Sequence, residues 1–416
     1  MPFFSIFTPT HNAKYLLRAA ESLSAQTFKD FEWLILPNAG VELPDLEELP
    51  NCRLVHTKDP LAKNIGRFKK ECCVAATGQV LVELDHDDEL TPDCLQELYN
   101  AFTENEKIDF CYSNDADLDP KLEPFTYSSK YGWDARPFEY KGRTIMEQLS
   151  FPPTAAAFSK IWFAPNHVRA WRKSFYDKIG GHNESLEILD DQDLLARTYI
   201  HGNVKFIDKC LYIYYRHEGN TCYGDKNKFI QTETLNIHDK YIYQLAEKWC
   251  DILGLLKIDL CGGHNSPKGY ISVDLENAMV KHDLNTKWPF EEGSVGIVRA
   301  HDALEHLKDP IHVMKEAYRV IRPMGWFLTL TPSTDGRGAF QDPTHISFWN
   351  SNSFWYYTKA ETAKYIGTPV RFQANRIKNF FPNNYCEQHN IMYVKADLLR
   401  LPHRDAGMRV PGEVMI

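Results

Sequence analysis

The sequence predicts an α/β protein of two domains, each built on a mostly parallel sheet. Short apolar runs alternate with helical stretches in the first half, and a second series of the same kind starts at Leu255. This alternation is typical of βαβ units. A chain of 416 residues is also too long for one ordinary domain. We predict domains at 1–250 and 251–416, with no Pro/Gly/Ser-rich linker between them.

The apolar runs of the first domain place its strands and helices. We expect strands at 4–8, 31–36 and 80–84, and helices at 14–25, 66–76 and 228–250. Between Asp115 and Arg172 the pattern weakens and becomes aromatic, which indicates loops and short helices that shape an acceptor pocket.

The second domain repeats this organisation. Its pattern predicts strands at 256–260, 270–274, 295–299 and 326–330, and a helix at 311–322 that ends before Pro323-Met324-Gly325.

The composition excludes several classes of protein. The chain is 43% hydrophobic and 25% charged, as in ordinary globular proteins, and its formal net charge of -9 argues against a nucleic-acid surface. No apolar run is long enough to span a bilayer, and the apolar residues 1–7 lack a charged region and a cleavage site. Ten cysteines without a CxxC pair argue against a zinc site and a disulfide framework. We expect reduced thiols in a cytoplasmic compartment, or in the host cytoplasm if the protein is viral.

The segment Leu84-Asp85-His86-Asp87-Asp88 is the first candidate site, at the end of an apolar run. Close carboxylates raise each other's pKa unless a cation meets them, and oxygen ligands suit Mg²⁺ or Mn²⁺ bridging phosphates. Ligands of such sheets bind at the carboxyl ends of strands. The alternative is a solvated turn or a helix cap before Leu90-Thr91-Pro92.

The segment Leu189-Asp190-Asp191-Gln192-Asp193 is the second acidic candidate, after the Gly180-Gly181 turn. Acidic residues favour a helix start, and one of them can also act as a general base.

Residues 1–225 resemble the inverting family 2 glycosyltransferases, which have the GT-A fold. Besides the two acidic segments, the motifs that carry the resemblance are Phe7-Thr8-Pro9-Thr10-His11-Asn12, Ser22 to Thr27 with Phe31-Glu32-Trp33, Ala76-Thr77-Gly78, and Tyr215-Arg216-His217-Glu218-Gly219-Asn220-Thr221.

The resemblance implies a nucleoside diphosphate sugar as donor and a metal-dependent reaction that inverts the anomeric centre. Thr8 and Asp85 would bind the donor, Asp85 at its ribose, and Asp87 would ligate the metal. Asp191 would be the base, with Asp190 and Asp193 as rivals. His217 would either approach the metal or diphosphate or have a structural role.

One departure from the family concerns the nucleotide. Leu36-Pro37-Asn38 stands where the family often carries two aspartates. Asn38 can still hydrogen-bond a base edge as donor and acceptor, and uridine is our default.

Residues 255–400 resemble class I methyltransferases that use S-adenosyl-L-methionine. The motifs are Ile258 to Gly263, Gly269 to Asp274, His282-Asp283-Leu284, Trp288-Pro289-Phe290, Ala303 to Leu307 and Ile321 to Gly325. The resemblance implies a Rossmann-like sheet, with Gly262 lining the cofactor, Asp274 at its ribose and Asp283 near its adenine. The loop is poorer in glycine than in many relatives, and Met324 replaces a usual glycine, so a non-catalytic domain stays an alternative.

The acceptor of the methyl group is predicted beside Gln341-Asp342-Pro343-Thr344-His345 and the aromatic residues from Phe348 to Tyr357. His345 is a candidate base for a sugar hydroxyl, and Glu305-His306 could equally face the acceptor. The alternative is that the aromatic residues belong to the core and that His345 is a capped loop residue.

The function predicted from these features is that of a bifunctional glycan-building enzyme. The first domain would transfer a sugar to a glycan acceptor, and the second would methylate a sugar hydroxyl. The alternatives are a glycosyltransferase with an inert second domain, and a non-enzymatic glycan- or nucleotide-binding protein.

Overall fold

The computed structural model describes residues 1–43, 51–59, 64–160, 163–218, 225–403 and 406–413. The chain forms two compact units, Met1–Leu245 and Ala246–Ile416, and each is an α/β structure.

The first unit is built on a mixed sheet. Its strands are β1 (Phe4–Thr10), β2 (Phe31–Pro37), β3 (Cys52–Leu54), β4 (Val80–Glu83), β5 (Glu89–Leu90), β6 (Phe110–Leu118), β7 (Pro124–Phe125), β8 (Ala135–Tyr140), β9 (Arg143–Gln148), β10 (Arg169–Arg172) and β11 (Val204–Tyr215). The main order is β3-β2-β1-β4-β10-β6-β11-β5. The strands from β3 to β4 run parallel to one another, whereas β10 lies antiparallel between β4 and β6.

Helices pack on this sheet because their apolar positions recur at helical spacing. They are α1 (Leu16–Ser24), α2 (Ile65–Ala75), α3 (Cys94–Glu104), α4 (Ala155–Phe158), α5 (Lys173–Lys178) and α6 (Asp190–His201). A long helix, α7 (Asp225–Leu253), includes the predicted helix at 228–250. Every residue of β1 is buried, as expected for a central strand of a parallel sheet.

The prediction for residues 115–172 was wrong in part, because this stretch contributes the end of β6 and the four strands β7 to β10 to the sheet. Strands β8 and β9 form a hairpin whose two turn residues, Lys141 and Gly142, have φ of 48° and 76°. Two-residue hairpin turns require such angles. Strand β10 has only four residues, two of them arginines, so its sequence lacks the apolar run that marks a central strand.

The second unit contains one sheet with the order β14-β13-β12-β15-β16-β18-β17. The strands are β12 (Leu256–Leu260), β13 (Ile271–Asp274), β14 (Val280–Lys281), β15 (Val295–His301), β16 (Ile321–Pro332), β17 (Phe372–Phe380) and β18 (Tyr393–Arg400). The five strands β14, β13, β12, β15 and β16, which are consecutive in the sheet, run parallel to one another, and β18 is antiparallel to both its neighbours. The helices are α8 (Pro310–Val320), α9 (Gly338–Gln341), α10 (Ser351–Thr358), α11 (Ala360–Ala363) and α12 (Asn384–Gln388).

Helix α8 ends two residues earlier than predicted. Ile321 already belongs to β16, and Arg322 follows in the same strand. Pro323 explains this end, because a proline disfavours helical backbone at the residue before it.

Two further observations concern the cysteines and the helices of the described residues. The cysteines of the described residues are free thiols, and Cys72 and Cys73 are buried. Within the described ranges, no helix combines the length and the apolar character that crossing a membrane requires.

Candidate active sites

The carboxyl ends of β1, β2 and β4 bring the predicted donor-site residues to one edge of the first sheet. These strands are parallel, so Asn38 and Asp85 follow their strands at this edge, and Thr10 ends β1 there. Strand β6 runs in the same direction as β4, because β10 is antiparallel to both. The residue that begins β10, Arg169, therefore also lies at this edge.

A cleft of about 430 Å³ opens there, and its lining includes His11, Tyr15, His86, Asp87 and His217. The Asp87 carboxylate Oδ2 lies 2.7 Å from His217 Nε2. The sequence separation of these residues is 130, so the fold joins two motifs that the sequence predicted separately. This is a hydrogen-bonding distance, and a carboxylate oxygen and an imidazole nitrogen are also atom types that bind divalent cations. The remaining residues of the late motif, Gly219 to Thr221, lie outside the described residues.

Asp85 and Asp88 differ in their surroundings. Asp88 is fully buried, accepts hydrogen bonds from the Tyr212 hydroxyl and the Tyr215 backbone N–H, and is held as a structural residue. Burial and the neighbouring carboxylates Asp87 and Asp85 raise the pKa of Asp88 well above its usual value. The Asp85 side chain is one-third exposed, which leaves it accessible to a ligand.

The structure places Thr8 inside the sheet, where its side chain is buried. Its hydroxyl donates to the Leu84 carbonyl at 2.7 Å and accepts from Trp33 Nε1 at 2.9 Å. The Thr8 hydroxyl therefore holds Leu84, the residue just before Asp85 of the acidic motif, and is not presented to the cleft. Asn38 follows β2, and its backbone N–H donates to the Thr10 carbonyl at 2.8 Å.

Three acidic residues begin α6, and their environments separate them. Asp193 is buried and accepts from Arg197, Lys240 and Tyr241, so both of its carboxylate oxygens are engaged. Asp190 is also buried, and burial, with a smaller contribution from Asp191, raises its pKa to about 7 although Lys69 opposes the shift.

Asp191 is the most exposed of the three aspartates, with a side-chain exposure of 19%. Its Oδ1 accepts from the Gln192 N–H at 2.8 Å, and its Oδ2 accepts from Arg169 Nη1 at 3.2 Å. A carboxylate has about four acceptor positions, so Asp191 can still accept a proton or a hydrogen bond from a ligand.

A buried charge network, which the sequence analysis missed, lies behind this edge. Glu83, at the end of β4, pairs with Lys69 of α2, and its Oε2 lies 3.6 Å from Arg169 Nη1. His167 Nε2 is 3.8 Å from the same oxygen and 3.9 Å from Asp85 Oδ2. Contacts through Glu83 and its partners thus connect the Asp85 side of the site to the Asp191 side.

The network controls the ionisation of its members. Burial acts to raise the pKa of Glu83, but Lys69, His167 and Arg169 outweigh it and hold that pKa well below the usual value. Burial likewise acts to lower the pKa of Lys69, and Glu83 and the nearby aspartates reverse that effect. One signal for Glu83 was present in the sequence, since it is a charged residue within the apolar run 80–84.

The second sheet reverses its order between β12 and β15, and a crevice at such a reversal is where ligands of open α/β sheets bind. Gly262 follows β12 at this point. A Cβ there would stand 2.1 Å from Asp259 Oδ2 and 2.2 Å from Ser266 Oγ, so glycine is required by the loop's own packing. Asp259 is buried and also accepts from Arg299 at 2.6 Å.

Asp274 ends β13 beside this loop. Its Oδ1 accepts from the Leu275 N–H at 2.7 Å, and its Oδ2 would lie 3.7 Å from a Cβ on Gly263. This oxygen therefore faces the glycine loop. Asp283 follows β14 and is exposed, and its Oδ1 accepts two hydrogen bonds from Asn285.

His345 is half-buried, and its Nδ1 lies 3.0 Å from the Ala339 carbonyl. Its ring is 5.1 Å from that of His306. The aromatic residues divide as follows: Trp349, Phe354 and Tyr357 are buried in the core, whereas Phe348 is 50% exposed. The interpretation of these aromatics as core residues is therefore correct for the three buried ones.

Two family models match this chain, one in each domain. Residues 5–179 match the family model of glycosyl transferase family 2, and residues 262–329 match a methyltransferase domain model. The N-terminal domain thus resembles the family 2 glycosyltransferases, the C-terminal domain resembles the methyltransferases, and both resemblances seen in the sequence are confirmed.

Individual proteins are similar to the first domain. The chain is 25% identical over 228 residues to a chondroitin synthase of Escherichia coli, which covers 53% of this chain and 30% of that protein. It is 23% identical to a hyaluronan synthase of Pasteurella multocida, covering 53% of this chain and 21% of that protein. An uncharacterized glycosyltransferase of Haemophilus influenzae is 25% identical, with 46% and 60% covered. The chain therefore spans less than a third of the length of the two synthases.

Among solved structures, S. aureus TarS 1-349 in complex with UDP-GlcNAc is 17% identical and has a TM-score of 0.41. That similarity covers 60% of this chain and 71% of TarS 1-349.

Proposed function

We propose that the N-terminal domain transfers a sugar from a nucleoside diphosphate sugar to a glycan hydroxyl and inverts the anomeric centre. The observation that carries this proposal is the arrangement of Asp85, Asp87 and His217 at the sheet edge that also holds Arg169 and Asp191. These residues would supply a donor site and a base at one edge of a domain that matches a glycosyltransferase family model.

We assign the cation to Asp87 and His217. A bound Mn²⁺ or Mg²⁺ supplies neutralising charge for the departing diphosphate. Asp85 and Asn38 would bind the nucleoside, Asp85 at the ribose and Asn38 at the base, with uridine as the first base to test. Thr8 supports this site from within the sheet.

We assign the general base to Asp191. It has the greatest side-chain exposure of the three aspartates of α6, and its orientation is held at both oxygens by Gln192 and Arg169. A carboxylate held on the face opposite the leaving group can take the acceptor's proton, and displacement from that face inverts the anomeric centre.

We further propose that the C-terminal domain methylates a sugar hydroxyl. S-adenosyl-L-methionine supplies the methyl group when it is bound. Gly262 would line it, Asp274 would accept from its ribose hydroxyls, and Asp283 would lie near its adenine. His345 would lie at the acceptor hydroxyl, where a neutral imidazole can accept a proton.

A glycan is the acceptor that these assignments favour. The similar proteins include synthases named for chondroitin and hyaluronan, which are glycans. We propose that this protein works in a reducing, cytoplasmic compartment, since its described cysteines are free thiols.

Binding experiments on the full chain, with one variant in each domain, test both proposed activities. Calorimetry with UDP, with and without Mn²⁺, measures the first site, and S-adenosylhomocysteine measures the second. Asp87→Ala should abolish the Mn²⁺-dependent part of UDP binding and preserve S-adenosylhomocysteine binding. Asp274→Ala should do the reverse, losing about 1.5–3 kcal/mol per hydrogen bond to the charged group.

Each variant is the folding control for the other. UDP affinity that does not depend on Mn²⁺ in the wild type would contradict the metal assignment. No heat from S-adenosylhomocysteine at millimolar concentration would contradict the methyltransferase assignment and favour a domain that has kept its fold without its cofactor.

A further inference from the structure

Three side chains of the second domain converge without any role in the cofactor loop. One ligand atom from each of Glu305, His306 and His345 lies within 4.8 Å of the other two. Glu305 and His306 belong to a short 3-10 helix after β15, and His345 comes from the segment after α9. The fold thus assembles two imidazoles and one carboxylate from distant parts of the sequence.

Glu305 is the unusual member of this cluster because it is buried, with 2% of its surface exposed. Its Oε2 accepts a hydrogen bond from the Thr331 hydroxyl at 2.6 Å, which fixes the orientation of the carboxyl group. Its Oε1 is buried and has no hydrogen-bond partner among the described residues. A buried carboxylate oxygen without a partner is costly, and a cation compensates that cost.

The two histidines are oriented as metal ligands commonly are. His345 Nδ1 lies 3.0 Å from the Ala339 carbonyl, and a carbonyl can only accept, so Nδ1 carries the proton. This tautomer leaves the Nε2 lone pair for a ligand bond. His306 Nδ1 lies 3.3 Å from both the carbonyl and the hydroxyl oxygen of Thr344, and that hydroxyl already donates to Asp342 Oδ1 at 2.7 Å, so His306 Nδ1 also donates. A backbone carbonyl on the other ring nitrogen is the usual device that orients a metal-bound histidine.

We propose that Glu305, His306 and His345 form a binding site for a divalent transition-metal cation such as Zn²⁺. Two imidazoles and one carboxylate suit such a cation, whereas Mg²⁺ and Ca²⁺ favour sites in which most ligands are oxygen atoms. Three protein ligands leave at least one coordination position open, as in catalytic rather than structural sites. The cysteine spacing, which argued against zinc, does not bear on a site of this composition.

The position of the cluster in the fold indicates which ligand could occupy the open coordination position. This part of the inference rests on the proposed methyl transfer. Glu305 follows β15, one of the two strands at which the sheet order reverses, and Gly262 follows the other. A sugar hydroxyl would be a suitable occupant of the open position, because an oxygen bound to such a cation would lose its proton to solvent water more readily. His345 then acts as a ligand instead of as a free base.

Zinc binding by the full chain tests the site. Wild type, Glu305→Gln, His306→Ala and His345→Ala are dialysed against buffered Zn²⁺, and the bound metal is counted. His389→Ala is the matched control, since His389 is an exposed histidine of the same domain. All of these proteins, including the parent, also carry Asp87→Ala, so that the proposed cation site of the first domain does not bind zinc.

We expect one Zn²⁺ per chain in the Asp87→Ala background and in its His389→Ala derivative. Removing a residue that only orients a metal ligand costs about 10- to 100-fold in metal affinity. Each of the three cluster variants should therefore lose at least that much affinity for zinc. Equal zinc binding in all chains, or none in the parent, would overturn the proposal. If only His345→Ala keeps its zinc, the three-ligand site is wrong and His345 returns to the role of a free base.

S-adenosylhomocysteine calorimetry on the same samples separates this inference from the proposed methyl transfer. Cofactor binding without zinc would contradict the metal site alone. Zinc without cofactor binding would contradict the methyltransferase assignment alone. Retained cofactor binding by His306→Ala also shows that a loss of zinc is not a loss of folding, should Glu305→Gln fail to fold.

Discussion

Replacing Glu83 by glutamine should destabilise the first domain strongly. Glu83 is 1% exposed and lies between the ammonium group of Lys69 and the guanidinium group of Arg169, whose side chains are 10% and 6% exposed. Glutamine keeps the size of the side chain and removes its charge. Lys69 then loses its nearest carboxylate and Arg169 loses one of its two carboxylate neighbours, and the partial compensation left to them comes from Asp85, Asp190 and Asp191.

The magnitude follows from this burial. Breaking a buried ion pair by removing one partner costs about 3–5 kcal/mol, whereas an exposed pair is worth about 0–1 kcal/mol. Glu83→Gln should therefore lower the free energy of unfolding by about 3–5 kcal/mol. The double variant Glu83→Gln with Lys69→Met removes both charges and should recover much of that loss. Lys173→Ala, which breaks the exposed Lys173–Asp177 pair, is the matched control.

The measurement must report on the first domain alone, because a chain of two domains does not unfold in one step. Hydrogen exchange of peptides from β1 and β4 in increasing urea gives a local free energy of unfolding. The folded-state pKa of Glu83 is depressed, so its contribution is complete above its ordinary value of 4.5 and is lost as the pH falls below it. A cost below about 1 kcal/mol at pH 7 would refute the reasoning, as would a double variant no more stable than Glu83→Gln.

Two further predictions concern the aspartates of α6. Asp191→Asn should keep donor affinity within a few-fold of the wild type and slow sugar transfer by a factor on the order of 10² or more. Asp193→Asn should instead lower the stability of the domain and leave the transfer rate per folded enzyme unchanged. The opposite pattern in transfer assays would assign the base to Asp193. Asp190 binds its proton more tightly in the folded state, with a pKa raised from 3.8 to about 7, so its contribution to stability should fall as the pH rises through that window. Asp190→Asn should remove that fall. Hydrogen exchange of first-domain peptides in increasing urea at pH 4, 5.5 and 8 checks it, and an unchanged pH dependence would contradict the assigned pKa.

The fold was largely predictable where hydrophobic runs are long. Strands β1, β2 and β4 and the helix α7 follow from apolar periodicity, because each buries a continuous or regularly spaced apolar surface. Strand β10 could not be found this way. Its four residues derive their position from pairing with β4 and β6, which are distant in the sequence, and not from their own composition.

The same distinction applies to the site residues. Asp87 and His217 were predicted from separate motifs, and only the fold shows that their side chains are 2.7 Å apart. Arg169 was not predicted, because its role depends on the antiparallel register that sets it beside Glu83. Thr8 shows the opposite error, since a motif position was taken for a ligand contact although its hydroxyl is engaged by Leu84 and Trp33.

Arg169 explains why the proposed base and the donor side of the site can be held in a fixed relation. Its guanidinium contacts Glu83 at 3.6 Å and Asp191 at 3.2 Å, while Glu83 itself lies two residues before Asp85 on the chain. A guanidinium is planar and always charged, so it can hold two carboxylates without changing its own ionisation. Each oxygen of Asp191 keeps an acceptor position because each receives one recorded hydrogen bond. The proposed base is therefore oriented before an acceptor arrives, and orientation of this kind lowers the entropic part of a reaction barrier.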